Sequence, residues 1–131
     1  MSIADVLVPN ALVSGTYAPT WATTAGFTTP PTVVNINWQR LGNIVHCSFI
    51  AVDAGVSGVG VDTATVTLPV PRSAPFTGLP QECNGAAALY GASVGGGGYF
   101  TPTAGQQTAT VNTQSGSPGI ATLSGFFTYT V

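Results

Sequence analysis

The sequence has very little charge. Its 131 residues include no lysine, and only 5% of them are charged, against about 25% in a typical soluble domain. The two cations, Arg40 and Arg72, are too few to neutralise a run of phosphates, which requires several clustered basic side chains. The sequence therefore predicts a neutral surface that does not bind nucleic acid.

Long apolar runs are also absent. The N-terminal stretch MSIADVLVPNALVSG lacks the basic start and unbroken apolar centre of a signal peptide, so no secretion route is predicted. No run approaches the roughly 20 residues needed to span a bilayer, so no membrane partner is expected either. The 44% hydrophobic content must therefore be buried in a large core or shared between subunits.

Residues that carry chemistry are few and scattered. Cys47 and Cys83 lack a CxxC spacing, which excludes a redox motif or a zinc knuckle, and we expect two buried thiols rather than a disulfide. One histidine without an acidic cluster leaves a catalytic metal without ligands. A calcium site shared by Asp53 and Asp62 is a less favoured alternative. We therefore expect no cofactor, no metal and no enzymatic activity.

The regular patterns in the chain are those of strands. TVVNINWQR alternates apolar and polar residues, and NIVHCSFIAVD is apolar on both faces, as in a central strand. DTATVTLPV, TATVNTQ and LSGFFTYTV are further candidates, and in the last of these Phe127 and Tyr129 share one face. CNGAAALYGASV fits a helix or a strand, and its bracketing glycines and short length favour the strand.

Short strands separated by turns, without long amphipathic helices, predict an all-β fold: an antiparallel, jelly-roll-like β-sandwich over residues 32–131. Residues 1–31 are apolar, poorly periodic and interrupted by prolines, which predicts an extended N-terminal arm. Leaving a large apolar side chain in water instead of burying it costs about 1.5 to 3 kcal/mol, so the arm is expected to lie against a partner. Its contact residues are expected to be Val6, Leu7, Val8, Leu12 and Trp21.

The segment RLGN predicts a hairpin turn at Gly42 and Asn43, because tight hairpins require a residue that tolerates positive φ. A two-residue loop places Trp38 on the face of Cys47, whereas a three-residue loop places His46 beside Trp38. The sequence leaves both registers open. In either one, His46 and Cys47 point to opposite faces of a strand and cannot form a catalytic pair.

The sequence of the predicted hairpin also resembles a known pattern. The pattern W-x-R-x-G-N-x-V, formed by Trp38, Arg40, Gly42, Asn43 and Val45, resembles a hairpin of β-rich virion structural proteins of tailed bacteriophages. The later TLPVP and the closing FFTYTV are similar to other parts of the same pattern, so the resemblance spans roughly residues 36 to 131. It implies homotrimers without a cofactor, and it assigns no catalytic residue.

The resemblance leads to an expected function. We expect a non-enzymatic, homotrimeric capsid decoration (cement) protein, assembled in the bacterial cytoplasm and located on the capsid exterior. Its arm is expected to bind the major capsid protein, with Phe127 and Tyr129 at the trimer interface. The alternative is a receptor-binding β-sandwich module of a tail fibre or spike, with Tyr90, Tyr99 and Phe100 stacking on host saccharide. A cellular carbohydrate-binding module is a third alternative.

Overall fold

The computed structural model describes residues 12–32, 35–58, 60–91 and 95–131. It confirms the all-β, antiparallel class, and no α-helix occurs in these ranges, which hold a single turn of 3₁₀-helix at Pro80–Glu82. The strands are β1 (Val13–Tyr17), β2 (Trp21–Ala25), β3 (Phe27–Thr29), β4 (Ile36–Leu41), β5 (Ile44–Val56), β6 (Val61–Thr67), β7 (Cys83–Tyr90), β8 (Gly95–Pro102), β9 (Thr108–Gln114) and β10 (Gly119–Thr130).

The strands form one curled sheet in the order β1-β4-β5-β10-β7-β8-β9-β6-β2, with β3 paired to β5. Strands β2 and β3 follow each other with Gly26 between them, and they pair with β6 and β5 respectively. Because β5 and β6 lie far apart in the sheet order, this double pairing closes the sheet around one interior.

The connections explain part of this order. Strands β7, β8 and β9 form two successive hairpins, and β10 returns to lie beside β7. This spatial order, with the fourth strand next to the first, is a Greek key. It brings the last strand of the chain between β5 and β7, at the centre of the sheet.

Apolar and polar residues alternate along the strands, and the inward-facing apolar side chains fill the interior. Inward-facing aromatic rings meet edge to face, with centroids 5.6 Å apart for Trp21 and Phe49 and 6.1 Å apart for Phe49 and Phe100. The ring centroids of Phe100 and Phe127 are 4.9 Å apart. Burying each such side chain contributes about 1.5 to 3 kcal/mol, so these rings hold opposite sides of the curled sheet together.

One end of the interior, called here the Phe76 end, is covered by the long connection between β6 and β7. Phe76 in this connection is buried and lies 6.4 Å from the ring of Tyr129. The Tyr129 hydroxyl accepts a hydrogen bond from the Val70 amide at 3.0 Å and donates one to the Val70 carbonyl at 2.8 Å. The connection is therefore fixed to the end of β10 by both apolar and polar contacts.

The opposite end, called here the Asp62 end, is covered by short glycine-containing turns. A Cβ on Gly58 would clash with the backbone of Ser117 and Pro118, so the connections after β5 and β9 pack directly on each other. A Cβ on Gly26 would lie 2.7 Å from the Asp62 Cα. Both positions therefore require glycine for close backbone approach.

The predicted N-terminal arm is wrong over much of its length. Residues 13–29 contribute three strands to the sheet, β1, β2 and β3. The prolines that suggested an irregular arm do not interrupt these strands, because Pro19 lies between β1 and β2, and Pro30 and Pro31 follow β3. Residues 1–11 lie outside the described residues.

Two ambiguities of the sequence are resolved. The alanine-rich segment forms strand β7, as predicted. The hairpin between β4 and β5 has a two-residue loop, Gly42 and Asn43, so that Trp38 pairs with Cys47. Gly42 has φ 60°, which confirms the predicted turn position and explains why a glycine stands there.

Candidate functional site

The charged residues with the most contacts form an ion pair at the Phe76 end. Arg72 Nη2 lies 3.4 Å from Glu82 Oε1, and Arg72 Nη1 donates a 2.7 Å hydrogen bond to the Thr130 carbonyl. The guanidinium also lies 4.1 Å from the centre of the Phe76 ring. Arg72 thus fastens the β6–β7 connection to β10, which is a structural role.

Glu82 is held by the same connection. Its carboxylate accepts hydrogen bonds from four groups of this connection, the amide and hydroxyl of Thr77 and the amides of Gly78 and Leu79. Desolvation opposes ionisation, but these hydrogen bonds together lower the pKa of Glu82 below its usual value. A carboxylate so occupied is an anchor rather than a proton donor.

Asp62 has the opposite environment. Its side chain is fully enclosed at the Asp62 end, and within the described ranges neither carboxylate oxygen has a hydrogen-bond partner. Burial raises the pKa of Asp62, and the nearby Ser115 hydroxyl opposes this shift only in part. Asp53, proposed as its partner for calcium, is exposed on β5. The ranges described contain no group of three His, Cys, Asp or Glu side chains suited to a metal.

His46 lies on the outer face of the sheet. Its Nδ1 is 3.0 Å from the Thr128 hydroxyl, and its ring lies 5.8 Å from that of Phe126. Cys47, the next residue, is buried in the interior. The two side chains therefore point to opposite faces, as the sequence predicted.

Both cysteines are free and buried, which confirms the prediction of two buried thiols. Desolvation, with a smaller contribution from Cys83, raises the pKa of Cys47 to about 12. Desolvation also raises the pKa of Cys83 to about 12, although Arg72 opposes the shift. Because the thiolate is the nucleophilic form, neither thiol is activated at neutral pH.

Of the five predicted arm residues, the structure describes two, Leu12 and Trp21. Val6, Leu7 and Val8 lie outside the described residues. Leu12 is exposed just before β1, whereas Trp21 is buried against Phe49. Trp21 is therefore a core residue, and its prediction as a capsid contact is wrong because β2 is part of the sheet.

The predicted trimer interface also requires correction. Phe127 and Tyr129 share one face of β10, as the alternation indicated, but that face lines the interior of this chain. Both side chains are fully enclosed, so neither is available for contact with a second copy. The neighbouring outward-facing residue, Phe126, is 46% exposed.

An exposed apolar group lies at the tip of the β4–β5 hairpin. Leu41 and Ile44 are paired directly across the turn and are 54% and 50% exposed. Leu12 is 62% exposed and comes directly before β1, whose first residue, Val13, pairs with Arg40. We call Leu12, Leu41 and Ile44 the hairpin-tip patch.

A second outward-facing group crosses the middle of the sheet. Ser48, Phe126, Ala86, Tyr99 and Asn112 are successive partners on β5, β10, β7, β8 and β9. We call these five residues the outer row. It contains no charged side chain.

Of the tyrosines and phenylalanine predicted to bind saccharide, Tyr90 and Tyr99 are exposed, but Phe100 is buried. Phe100 faces inward because it follows the outward Tyr99 in the same strand.

The sequence analysis named Leu12 of the hairpin-tip patch and Tyr99 of the outer row, but it missed Leu41, Ile44 and Phe126. The alternation that places Phe127 inward also places Phe126 outward, so the signal for Phe126 was present. Leu41 and Ile44 could be assigned to the outer face only with the two-residue register of the turn, which the sequence left open.

Comparisons with protein-family models and with curated proteins give no match to this chain. In the part of the chain that is described, no helix has the length and apolar character to cross a membrane.

Proposed function

We propose that this protein is a non-enzymatic structural protein of a tailed-phage virion: a homotrimeric decoration protein that binds the major capsid protein on the capsid exterior. The hairpin-tip patch is the observation that carries the proposal. Three large apolar side chains are exposed at the tip of the β4–β5 hairpin and directly before β1. Such patches mark contacts with other proteins.

The patch revises where the contacts are expected. Residues 1–11 replace residues 1–31 as the capsid-binding arm in this proposal, with Val6, Leu7, Val8 and Leu12 as contacts. Leu41 and Ile44 replace Phe127 and Tyr129 at the trimer interface. The domain proposed for residues 32–131 then begins earlier, with β1, and a jelly-roll-like sandwich remains our interpretation of the curled sheet because Greek-key connections are typical of that fold.

The non-enzymatic part of the proposal rests on the positions of the chemical groups. Arg72 and Glu82 are engaged in holding a loop. His46 and Cys47 lie on opposite faces. A neutral surface also suits a structural contact that must persist over a range of salt concentrations, because it contains few ion pairs to screen.

The proposal is tested first by location. The copies of this chain in purified virions of the phage that encodes it should be counted by quantitative mass spectrometry. Hundreds of copies, in proportion to the major capsid protein, are expected. A few copies per particle would indicate the tail, and their absence from particles would overturn both placements.

The patch is tested by oligomeric state. Light scattering of the full chain at micromolar concentration should give three times the mass of one chain, and Ile44→Ser should lower that mass. Ile120→Ser is the matched control, because Ile120 is also exposed on a strand, at the opposite end of the neighbouring β10. A monomeric wild-type protein, or equal effects of the two substitutions, would contradict the trimer contact.

The arm is tested by deletion. Removing residues 2–11 leaves the ten strands of the described residues intact, so the protein should keep its melting temperature but lose binding to expanded capsids. Removing residues 2–17 also deletes β1 and should lower the melting temperature. If the shorter deletion binds capsids as well as the full chain, the arm is not the anchor.

The second candidate, a receptor-binding module of the tail, is favoured by one observation. Tyr90 and Tyr99 are 47% and 57% exposed, so each presents a ring face on which a ligand could pack. The copy number separates the candidates, because a tail module is present in a small number of copies at one vertex.

A further inference from the structure

The outer row has the geometry of a shallow binding surface. Ala86 pairs with Phe126 on one side and with Tyr99 on the other. Adjacent strands lie about 4.8 Å apart, so the Cα atoms of the two aromatic residues are separated by roughly 10 Å. Both rings are about half exposed, and the small side chain between them leaves a gap.

Depressions flank both rings. One of about 430 Å³ lies beside Phe126 above His46, Ser48 and Ser124, and another of about 240 Å³ lies on its other side above Ala86 and Ala88. A third, of about 260 Å³, adjoins Tyr99; its lining includes Val61, Gly97, Asn112 and Gln114. The depressions follow the row across the sheet, so an elongated ligand could occupy them in sequence.

The lining has few ionisable side chains but can form hydrogen bonds. Among the described residues, no carboxylate or arginine lines the three depressions, and the one basic side chain in their lining is His46. The Asn112 amide nitrogen donates to Thr101 at 3.2 Å, which fixes the orientation of its side chain. One ring nitrogen of His46 is likewise engaged with Thr128. A complementary ligand is therefore uncharged, with apolar faces for the rings and hydroxyl groups for these polar atoms.

A second copy of the chain fits this surface poorly. The row lies on the outer, convex face of a curled sheet, and two convex faces touch over a small area, whereas a stable interface buries about 800 Å² per partner. A dry contact would also leave the hydroxyls and amides of the row without partners, at about 1 to 3 kcal/mol for each buried group.

From this geometry we propose that the outer row is a binding site for a neutral oligosaccharide. The C–H faces of two sugar rings pack against Phe126 and Tyr99, where many weak dispersion contacts add up. Ser48, His46 and Asn112 hydrogen-bond the sugar hydroxyls. The site goes beyond the proposed capsid function and does not depend on where the protein lies in the virion.

The experiment is a nuclear magnetic resonance titration of the full chain, labelled with nitrogen-15. The probes are maltohexaose, cellohexaose and hexa-N-acetylchitohexaose, which are neutral, with a heparin hexasaccharide as the anionic comparison. At least one neutral probe should shift the amides of Ser48, Ala86, Tyr99 and Phe126 in a saturable, millimolar transition. Shifts that are absent with all three neutral probes, or scattered over the surface, would overturn the proposal, as would tighter binding of the heparin fragment.

Variants then locate the site. Phe126→Ser and Tyr99→Ser should each weaken binding about tenfold, which corresponds to about 1.4 kcal/mol, while their amide spectra remain those of a folded chain. Ile120→Ser, an exposed apolar residue outside the row, should bind as the wild type does. Equal affinity of Phe126→Ser and the wild type would overturn the proposal.

The same samples distinguish saccharide binding from self-association through this face. If Phe126→Ser lowers the mass measured by light scattering and no neutral probe shifts the row, the face is a contact between copies and the saccharide site is wrong. The copy number measured in virions does not depend on whether the saccharide site exists. That measurement therefore tests the proposed function independently.

Discussion

The two ends of the enclosed core are closed in different ways. At the Phe76 end, the polar groups are paired: Glu82 accepts hydrogen bonds from Thr77, Gly78 and Leu79, and Arg72 contacts both Glu82 and the Thr130 carbonyl. At the Asp62 end, the Asp62 carboxylate and the Ser115 hydroxyl are buried, and neither has a hydrogen-bond partner in the described ranges. The first end therefore favours an ionised carboxylate, and the second disfavours one.

This difference predicts opposite responses to pH. The pKa of Glu82 is lowered in the folded protein, so its stabilisation is present above the ordinary carboxyl pKa and is lost as the pH falls through the lowered value. The pKa of Asp62 is raised, so its contribution is fully present below the ordinary value and is lost as the pH rises through the raised one. The two ends should be separable by titrating stability.

The largest effect is expected from Phe76→Ala. Phe76 is 1% exposed and supports both Tyr129 and Arg72, so its removal leaves a cavity and frees the connection. The free energy of unfolding, measured in urea by circular dichroism, should fall by about 3 to 5 kcal/mol. Leu79→Ala is the control, because Leu79 belongs to the same connection but is 52% exposed. Equal losses from both substitutions would show that Phe76 does not close this end.

At the Asp62 end, Gly26→Ala should be strongly destabilising. Gly26 has φ 76°, which costs an alanine about 1 to 2 kcal/mol, and the added Cβ would also lie 2.7 Å from the Asp62 Cα. Gly42→Ala isolates the first cost, since Gly42 has φ 60° and no atom within 4 Å of a Cβ. We expect Gly26→Ala to lower the free energy of unfolding by more than Gly42→Ala does. Equal effects would mean that the contact with Asp62 relaxes freely.

The sequence predicted the regular parts of this fold for a physical reason. Alternation identifies which residues share a face, so the inward set of β10, including Phe127 and Tyr129, was correctly grouped. Alternation does not say what covers that face. A strand buried by the chain's own curled sheet and one buried by a second subunit have the same pattern, which is why these residues were assigned to an interface.

The N-terminal strands show a second limit. Each has five residues or fewer, and β2 is exposed at four of its five positions, so none shows a periodic pattern. They pair with β4, β5 and β6, which lie far away in the sequence. Long-range pairing of this kind leaves no local signal, and the burial of Trp21 was missed for the same reason. The Asp62 end likewise joins residues from three separate turns.

A smaller effect is expected from Glu82→Gln, which tests the paired end. The substitution removes the charge that accepts hydrogen bonds from the Thr77, Gly78 and Leu79 amides. The melting temperature should fall at neutral pH, and the difference from the wild type should shrink as the pH is lowered through the acid range below the ordinary glutamate pKa. A difference that stays constant over that range would show that the ionised form of Glu82 is not what holds the connection.

The smallest effect, and one of opposite sign, is expected from Asp62→Asn. Because burial raises the pKa of Asp62 and its oxygens have no partner in the described ranges, ionisation at neutral pH is costly. The neutral amide avoids that cost, so the free energy of unfolding at pH 7 should rise by about 1 kcal/mol. The gain should disappear below the ordinary aspartate pKa, where the carboxyl is protonated in both the folded and the unfolded chain.

Asp53→Asn is the matched control for Asp62→Asn, since Asp53 is exposed and should show no gain that depends on pH. Denaturant unfolding of the three proteins between acid and neutral pH makes the comparison. If Asp62→Asn destabilises the protein at pH 7, the buried charge is compensated in the folded state by a group that donates to it or by a bound cation. The buried polar groups of the Asp62 end would then be paired, like those of the Phe76 end, and the proposed difference between the two ends would be wrong.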